Sequence, residues 1–257
     1  MTDFYYRALG AGRYQPTLRA QGAWRPDEQH MSPLSGLLVH CLLRHEPRPD
    51  LQLARISFEI LGMMPIGETV IRVETVRPGR TIELLQATAV ISGREVLRAN
   101  AWFLATGDTA EVAGVAAREL PHTGAVPEEL LNKWGGGFIA SLTVLSEPDK
   151  TPGASWSWLR SDTVLVDVEP IHPSTPVLML ADTANGVAFR LPPTSWSFPN
   201  IDLTIHLLRP PTGEWLGVDV CNEIGPTGVG ITSAVLHDVH GPFGRSQQIL
   251  TIRPLED

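Results

Sequence analysis

One order of elements occurs twice along the chain: an apolar helix followed by four long strand-like segments. The first copy opens at Ser32-Pro33, an N-cap type residue followed by proline at the first helical position. The apolar run Leu34–Leu43 continues it, and strand-like segments follow at Ala54–Gly62, Glu68–Pro78, Arg80–Ser92 and Glu95–Thr106. Turn residues separate these at Pro65-Ile-Gly67, Pro78-Gly79 and Ser92-Gly93. The second copy opens at Thr175-Pro176 and runs through Val177–Phe189. Its strands are Asn200–Arg209, Glu214–Ile224, Gly228–Asp238 and Gly244–Arg253, with turns at Pro210–Gly213, Gly225-Pro226 and His240-Gly241. Locally, Ile56-Ser-Phe-Glu-Ile60 lines up with Ile201-Asp-Leu-Thr-Ile205, and Gly93 to Arg98 with Gly241 to Arg245 across one gap. Between the copies, Asp108–Asn132 is rich in Ala, Glu, Pro and Gly and reads as a connection, with a short helix expected at Pro127–Trp134. The expected division is therefore a first unit over 1–107, a linker over 108–136 and a second unit over 137–257.

A single long helix buried against four antiparallel strands must be apolar nearly all round, because the sheet curls over most of its surface. Both helix candidates have that character. The expected class is α+β, a double hotdog: two tandem repeats of a long helix wrapped by an antiparallel β-sheet. Sheets of this kind present long edge strands, so a homodimer or higher oligomer is expected.

Composition narrows the partners. With 43% hydrophobic and 19% charged residues, the 257-residue chain fits a soluble globular protein with a sizeable core. A net charge of −8 argues against nucleic acid, whose backbone is held by clustered Lys and Arg. A few local arginines could still hold one phosphate-bearing ligand. The two cysteines, Cys41 and Cys221, sit in apolar contexts far apart, and buried reduced thiols are expected rather than a disulfide. No secretory signal is visible after Met1, and the longest apolar runs are too short to span a bilayer, so a cytoplasmic protein without a membrane partner is expected.

Three polar residues in the second copy interrupt its apolar pattern. Asp182 lies inside Val-Leu-Met-Leu-Ala-Asp182-Thr-Ala-Asn-Gly-Val-Ala-Phe. A buried carboxylate there needs partners; the alternative is a solvated stripe or a helix start. Gln248 shares a strand face with Leu250 and Ile252, so its amide is either satisfied structurally or held ready for a ligand or water. Asn200 begins a strand after Phe198-Pro199 and could be a plain turn residue. Aligning the copies puts Val39 opposite Asp182, Arg55 opposite Asn200 and Ala101 opposite Gln248. The apolar counterparts of Asp182 and Gln248 show that the scaffold requires neither polar side chain.

At these residues the sequence resembles a known family. The helix with Asp182, the strand Phe198-Pro-Asn-Ile-Asp-Leu-Thr-Ile-His-Leu-Leu-Arg-Pro210 and the terminal Gln248-Ile-Leu-Thr-Ile-Arg253 are similar to the second hotdog of TesB-like acyl-CoA thioesterases, or acyl-CoA thioesterase II. The resemblance covers nearly the whole chain in layout and specific residues in the second half. It implies hydrolysis of an acyl-CoA or related acyl thioester by a water that Asp182, Asn200 and Gln248 orient and activate, with no cofactor. Well-known members carry Thr where this chain has Asn200, whose carbonyl oxygen can also hold a water. The glycine pair often found where the first helix begins is Ser35-Gly36 here. A carboxylate in an apolar setting becomes a better general base for water, and backbone N–H groups at a helix start can polarise a carbonyl. A non-catalytic acyl-ligand binding protein on the same scaffold is the alternative.

Other motifs carry less. His237-Asp-Val-His240 lacks a ligand cluster, and no metal is expected there. Gly225-Pro-Thr-Gly-Val-Gly230 links two strands and reads as a hairpin turn. Trp134-Gly-Gly-Gly-Phe138 reads as a flexible lead into the second unit, and Trp156, Trp158 and Trp196 as core or acyl-pocket aromatics. Asp202 and His206 sit on a sheet strand, which does not fit a hotdog dehydratase. No Gly-x-Ser-x-Gly elbow offers a covalent nucleophile.

Overall fold

Alternating burial along the strands, as in Ile82–Ile91 with every second residue buried, commits each of them to one face of a sheet. The computed structural model describes residues 3–45, 48–121, 123–130 and 133–255. The first half holds β1 (Phe4–Gly10), β2 (Arg13–Pro16), α1 (Met31–His45), β3 (Leu51–Ile60), β4 (Thr69–Arg77), β5 (Ile82–Ile91) and β6 (Arg94–Ala105). Next come β7 (Val126–Pro127), β8 (Leu142–Ser146), β9 (Ala154–Ser161) and β10 (Val164–Val166). After α2 (Thr175–Met179) and α3 (Ala184–Val187) follow β11 (Trp196–Ser197), β12 (Asp202–Leu207), β13 (Leu216–Ile224), β14 (Val229–Asp238), β15 (Gly241–Thr251) and β16 (Arg253–Pro254).

Among the described residues, fourteen strands make one sheet in the order β10-β1-β2-β4-β5-β6-β3-β12-β15-β14-β13-β9-β8-β7. At its middle β3 and β12 pair antiparallel, with Ser57 opposite Thr204 and Ile56 opposite Ile205. Outward from this junction the order is β6-β5-β4-β2-β1 on one side and β15-β14-β13-β9-β8 on the other. One apolar core runs under both halves. All four long strands expected in each half are present; β1, β2, β7, β8, β9, β10, β11 and β16 are additional. No described helix is long and apolar enough to cross a membrane.

Helix α1 is buried from Met31 through His40, as its apolar sequence requires. The second helix is not the single long helix expected. It breaks into α2, a 3-10 turn over Leu180–Thr183, and α3. Side chains divert its backbone groups: Thr183 Oγ1 donates to Leu180 O (2.6 Å), and Gln248 Nε2 donates to Asp182 O (3.1 Å). The last carbonyls are met by Trp134 Nε1 at Gly186 (3.2 Å), Lys150 Nζ at Val187 (2.8 Å) and Asn222 Nδ2 at Ala188 (2.9 Å). These partners replace the regular ladder.

Other expectations are corrected. The cysteines are free but not buried: Cys41 is half-buried, and Cys221 is exposed because it faces outward from β13. Gly136 and Gly137 are a tight fit, not a loose lead. A Cβ at Gly137 would lie 1.8 Å from Leu18 O, and one at Gly136 would lie 2.2 Å from Gly22 O. Trp156 and Trp158 pack with Leu120 beneath the connecting segment, where Trp158 Nε1 donates to Pro121 O (2.9 Å). The short helix expected at Pro127–Trp134 includes Leu131 and Asn132, which lie outside the described residues; Pro127 belongs to β7.

Candidate active site

The break in the second helix delivers Asp182 into the core with 4% of its surface exposed. Oδ1 accepts from Asn200 Nδ2 (2.9 Å) and Gln248 Nε2 (3.3 Å), and Oδ2 accepts from Ser32 Oγ (3.2 Å). Three donors offset the burial of a carboxylate, which would otherwise cost several kcal/mol (roughly, by transfer energies). The three residues named from the sequence therefore meet at one point, and Ser32 joins them from the other half of the chain.

Gln248 stands on the core face of β15, 1% exposed. Its Nε2 faces two acceptor oxygens of Asp182, so turning the amide over would set oxygen against oxygen. Its Oε1 is thereby fixed as a buried acceptor without a hydrogen-bond partner among the described residues. Asn200 lies just before β12, bridged to Leu250, and also donates to Asp202 O (3.1 Å). Its donor side, rather than its carbonyl, meets Asp182.

Sequence reasoning missed two members. Ser32 reads as a helix start, and His30 draws no attention beside it. His30 Nδ1 accepts the N–H of Ser32 (3.1 Å) and lies 3.5 Å from Asp182 Oδ2. Burial lowers the imidazole pKa below its ordinary value, and the nearby Asp182 opposes this only in part. Residue 30 is held in place by its neighbour. Gln29 accepts from Tyr6 (2.8 Å) and donates to Pro65 O (3.0 Å) and Thr69 Oγ1 (3.2 Å). The available signal was a His-x-Ser motif before both helices: His172 Nδ1 likewise accepts the N–H of Ser174 (3.2 Å).

A cavity of about 40 Å³ borders the site, lined by Trp24, His30, Trp134, Thr183, Gly186 and Val187 among others. Trp134 thus belongs to the cavity wall, and Phe138 packs against His30 with ring centroids 4.3 Å apart. In the first half Ser57 faces Thr204 across the seam, and Leu53 pairs with Phe103 on β6. Leu53 lines a cavity of about 200 Å³ with Phe103 and Leu207. Elsewhere, Asp238 of the His237–His240 segment is engaged by Arg209, and no group of three or more His, Cys, Asp or Glu gathers as a metal site among the described residues.

Solved structures share this architecture. A conserved hot dog fold protein of unknown function from Alicyclobacillus acidocaldarius superposes with a TM-score of 0.75 at 13% identity, covering 97% of this chain and 96% of its own. The acyl-CoA thioesterase II TesB2 of Mycobacterium marinum gives 0.68 at 16% identity, covering 98% and 95%. The dehydratase domain from the CurJ module of curacin polyketide synthase gives 0.55 at 10% identity, covering 96% and 93%. At these identities the likeness shows the hotdog fold alone. No curated protein matches the sequence significantly. Family models for the N-terminal and C-terminal domains of acyl-CoA thioesterases match residues 20–104 and 117–252. Since those matches together span most of the chain, the chain belongs to the acyl-CoA thioesterase family and is a thioester hydrolase.

Proposed function

We propose that Asp182 is the general base of a direct hydrolysis of acyl-CoA, or a related acyl thioester, without a covalent intermediate. A water donating to Asp182 Oδ2 and Gln248 Oε1 turns its lone pair toward the thioester carbon. As the O–C bond forms, Asp182 takes the proton. As the tetrahedral intermediate collapses, the C–S bond breaks and that proton passes to the departing sulfur, leaving a carboxylic acid and a thiol. Asn200 and Gln248 Nε2 hold the carboxylate from its other oxygen. The carrying observation is Gln248 Oε1, a buried acceptor without a partner among the described residues, beside a buried carboxylate. Thiol release across a panel of acyl-CoAs tests the reading. Asp182→Asn is expected to lower kcat by about 10²–10⁴-fold, the usual worth of general-base catalysis. Undiminished hydrolysis by that variant would sink the mechanism, and saturable binding with no thiol release would favour a non-catalytic acyl-ligand protein.

The mirror order of strands about β3 and β12 also supports reading the chain as two duplicated units, 1–107 and 137–257, joined by 108–136. A homo-oligomer is part of the proposal. Its contacts do not run through long edges, because the outermost strands β7 and β10 have two and three residues; light scattering that finds only monomer ends it.

A further inference from the structure

Hydrolysis needs two things, an activated water and a polarised carbonyl, and Asp182 with Gln248 accounts only for the first. We infer that His30 is a further catalytic residue, whose neutral imidazole donates from Nε2 to the thioester carbonyl oxygen and stabilises the oxyanion. This rests on the thioesterase reading and supplies its electrophilic half.

The tautomer follows from one contact. A backbone N–H can only donate, so Nδ1, which accepts from Ser32 N at 3.1 Å, carries the lone pair. The neutral ring then bears its proton on Nε2. No other hydrogen bond reaches the ring among the described residues, and the ring lines the cavity beside Thr183 and Trp134. Its side chain is 15% exposed and sits against Phe138, so the donor is held in place before substrate arrives. Nδ1 is 3.5 Å from Asp182 Oδ2, so the ring stands beside the base with its Nδ1 edge toward it. Burial keeps the ring neutral near pH 7, and neutral imidazole is an effective electrophile in such sites.

Capping α1 does not by itself explain this placement. His172 accepts the N–H of Ser174 in the same way at the second helix, yet it is exposed. The tautomer also separates hydrolysis from dehydration. A dehydratase needs the ring as a base toward a carbon-bound proton, whereas Nε2 here already holds its proton. During hydrolysis negative charge grows on the carbonyl oxygen as the water oxygen bonds to carbon, and the proton stays on Nε2.

His30→Ser keeps an oxygen to cap Ser32 but removes the donor. It is expected to lower kcat by about 10²–10³-fold, as loss of an oxyanion donor does, with KM little changed. His30→Asn, which keeps both an acceptor and an amide donor, should regain part of that loss, and His172→Ser should lose nothing. A second measurement uses an acyl-CoA ketone analogue with methylene in place of sulfur. Its bound C=O stretch should fall in the native protein and return toward the free value in His30→Ser. Full kcat in His30→Ser, or an unshifted carbonyl in the native complex, overturns the inference. Should His30→Ser fail to fold, nitrogen chemical shifts of the native ring decide: a proton on Nε2 supports the role and one on Nδ1 overturns it. A native protein that shifts the analogue's carbonyl but hydrolyses no thioester would defeat the thioesterase reading and leave the donor role standing. Loss of activity in Asp182→Asn with full activity in His30→Ser would do the reverse.

Discussion

Asp182 takes its donors from three separate elements, and that arrangement makes each donor's share measurable. Asn200 is the family's point of departure and meets Oδ1 at 2.9 Å. Thr at this position would still offer a hydroxyl donor, so Asn200→Thr is expected to lose less than about tenfold in kcat/KM. Asn200→Leu leaves Gln248 as the other donor to Oδ1. A hydrogen bond to a charged group is worth about 1.5–3 kcal/mol, so roughly 10–100-fold should go. Steady-state kinetics of the pair checks this, and equal activity in both variants would assign Asn200 to the turn alone. Asp182 and Gln248 were legible in the sequence because each breaks an apolar pattern that its counterpart in the other half keeps. Ser32 and His30 break no pattern. Their contacts to Asp182 span about 150 positions, and no local rule connects residues so far apart.

At the scale of elements, the strands were legible and the second helix was not. The run from Val177 to Phe189 is mostly apolar, so periodicity gives a helix but cannot sense that Gln248 and Thr183 occupy its carbonyls. The close approach of α1 to this broken helix depends on Gly36. A Cβ there would stand 2.8 Å from Met179 Cγ and 2.9 Å from its Cβ. Gly36→Val should therefore destabilise by about 1–3 kcal/mol through overpacking, read as a lower unfolding midpoint in urea. Met179→Ala in the same chain should restore part of it; no shift in the single variant would mean the helices slide freely. The turn between β12 and β13 offers a pH test. Asp238 is buried, which alone would raise its pKa. Arg209 (2.5 and 2.8 Å) and the N–H groups of Thr212 (2.9 Å) and His240 (2.8 Å) bring it down to about 2. A carboxyl more acidic in the fold than in the unfolded chain adds stability above the unfolded value near 3.8, and loses it as pH falls toward 2. Asp238→Asn should flatten acid unfolding across that window, and an unchanged acid midpoint would contradict it.

For the whole molecule, the governing fact is that the sheet and the core do not stop between the halves. β12 pairs with β3 on one side and β15 on the other, so the strand that follows Asn200 is also the seam of the protein. Ile56 and Ile205 face each other across that seam, both with no exposed surface, and both belong to the single core beneath it. Two halves that each supply part of one core cannot unfold separately without stripping the other of apolar cover. Calorimetry should record one transition with equal calorimetric and van't Hoff enthalpies; two resolved transitions would show halves that stand alone. Truncation at the seam should lower that one transition as a unit. Ile205→Ala leaves a cavity at the junction and is expected to cost about 2–5 kcal/mol, the range for such buried deletions. Its effect on catalysis should be disproportionate as well. Ser32 and His30 reach Asp182 across the same junction, so loosening it separates the capped helix from the carboxylate even where both halves keep their strands.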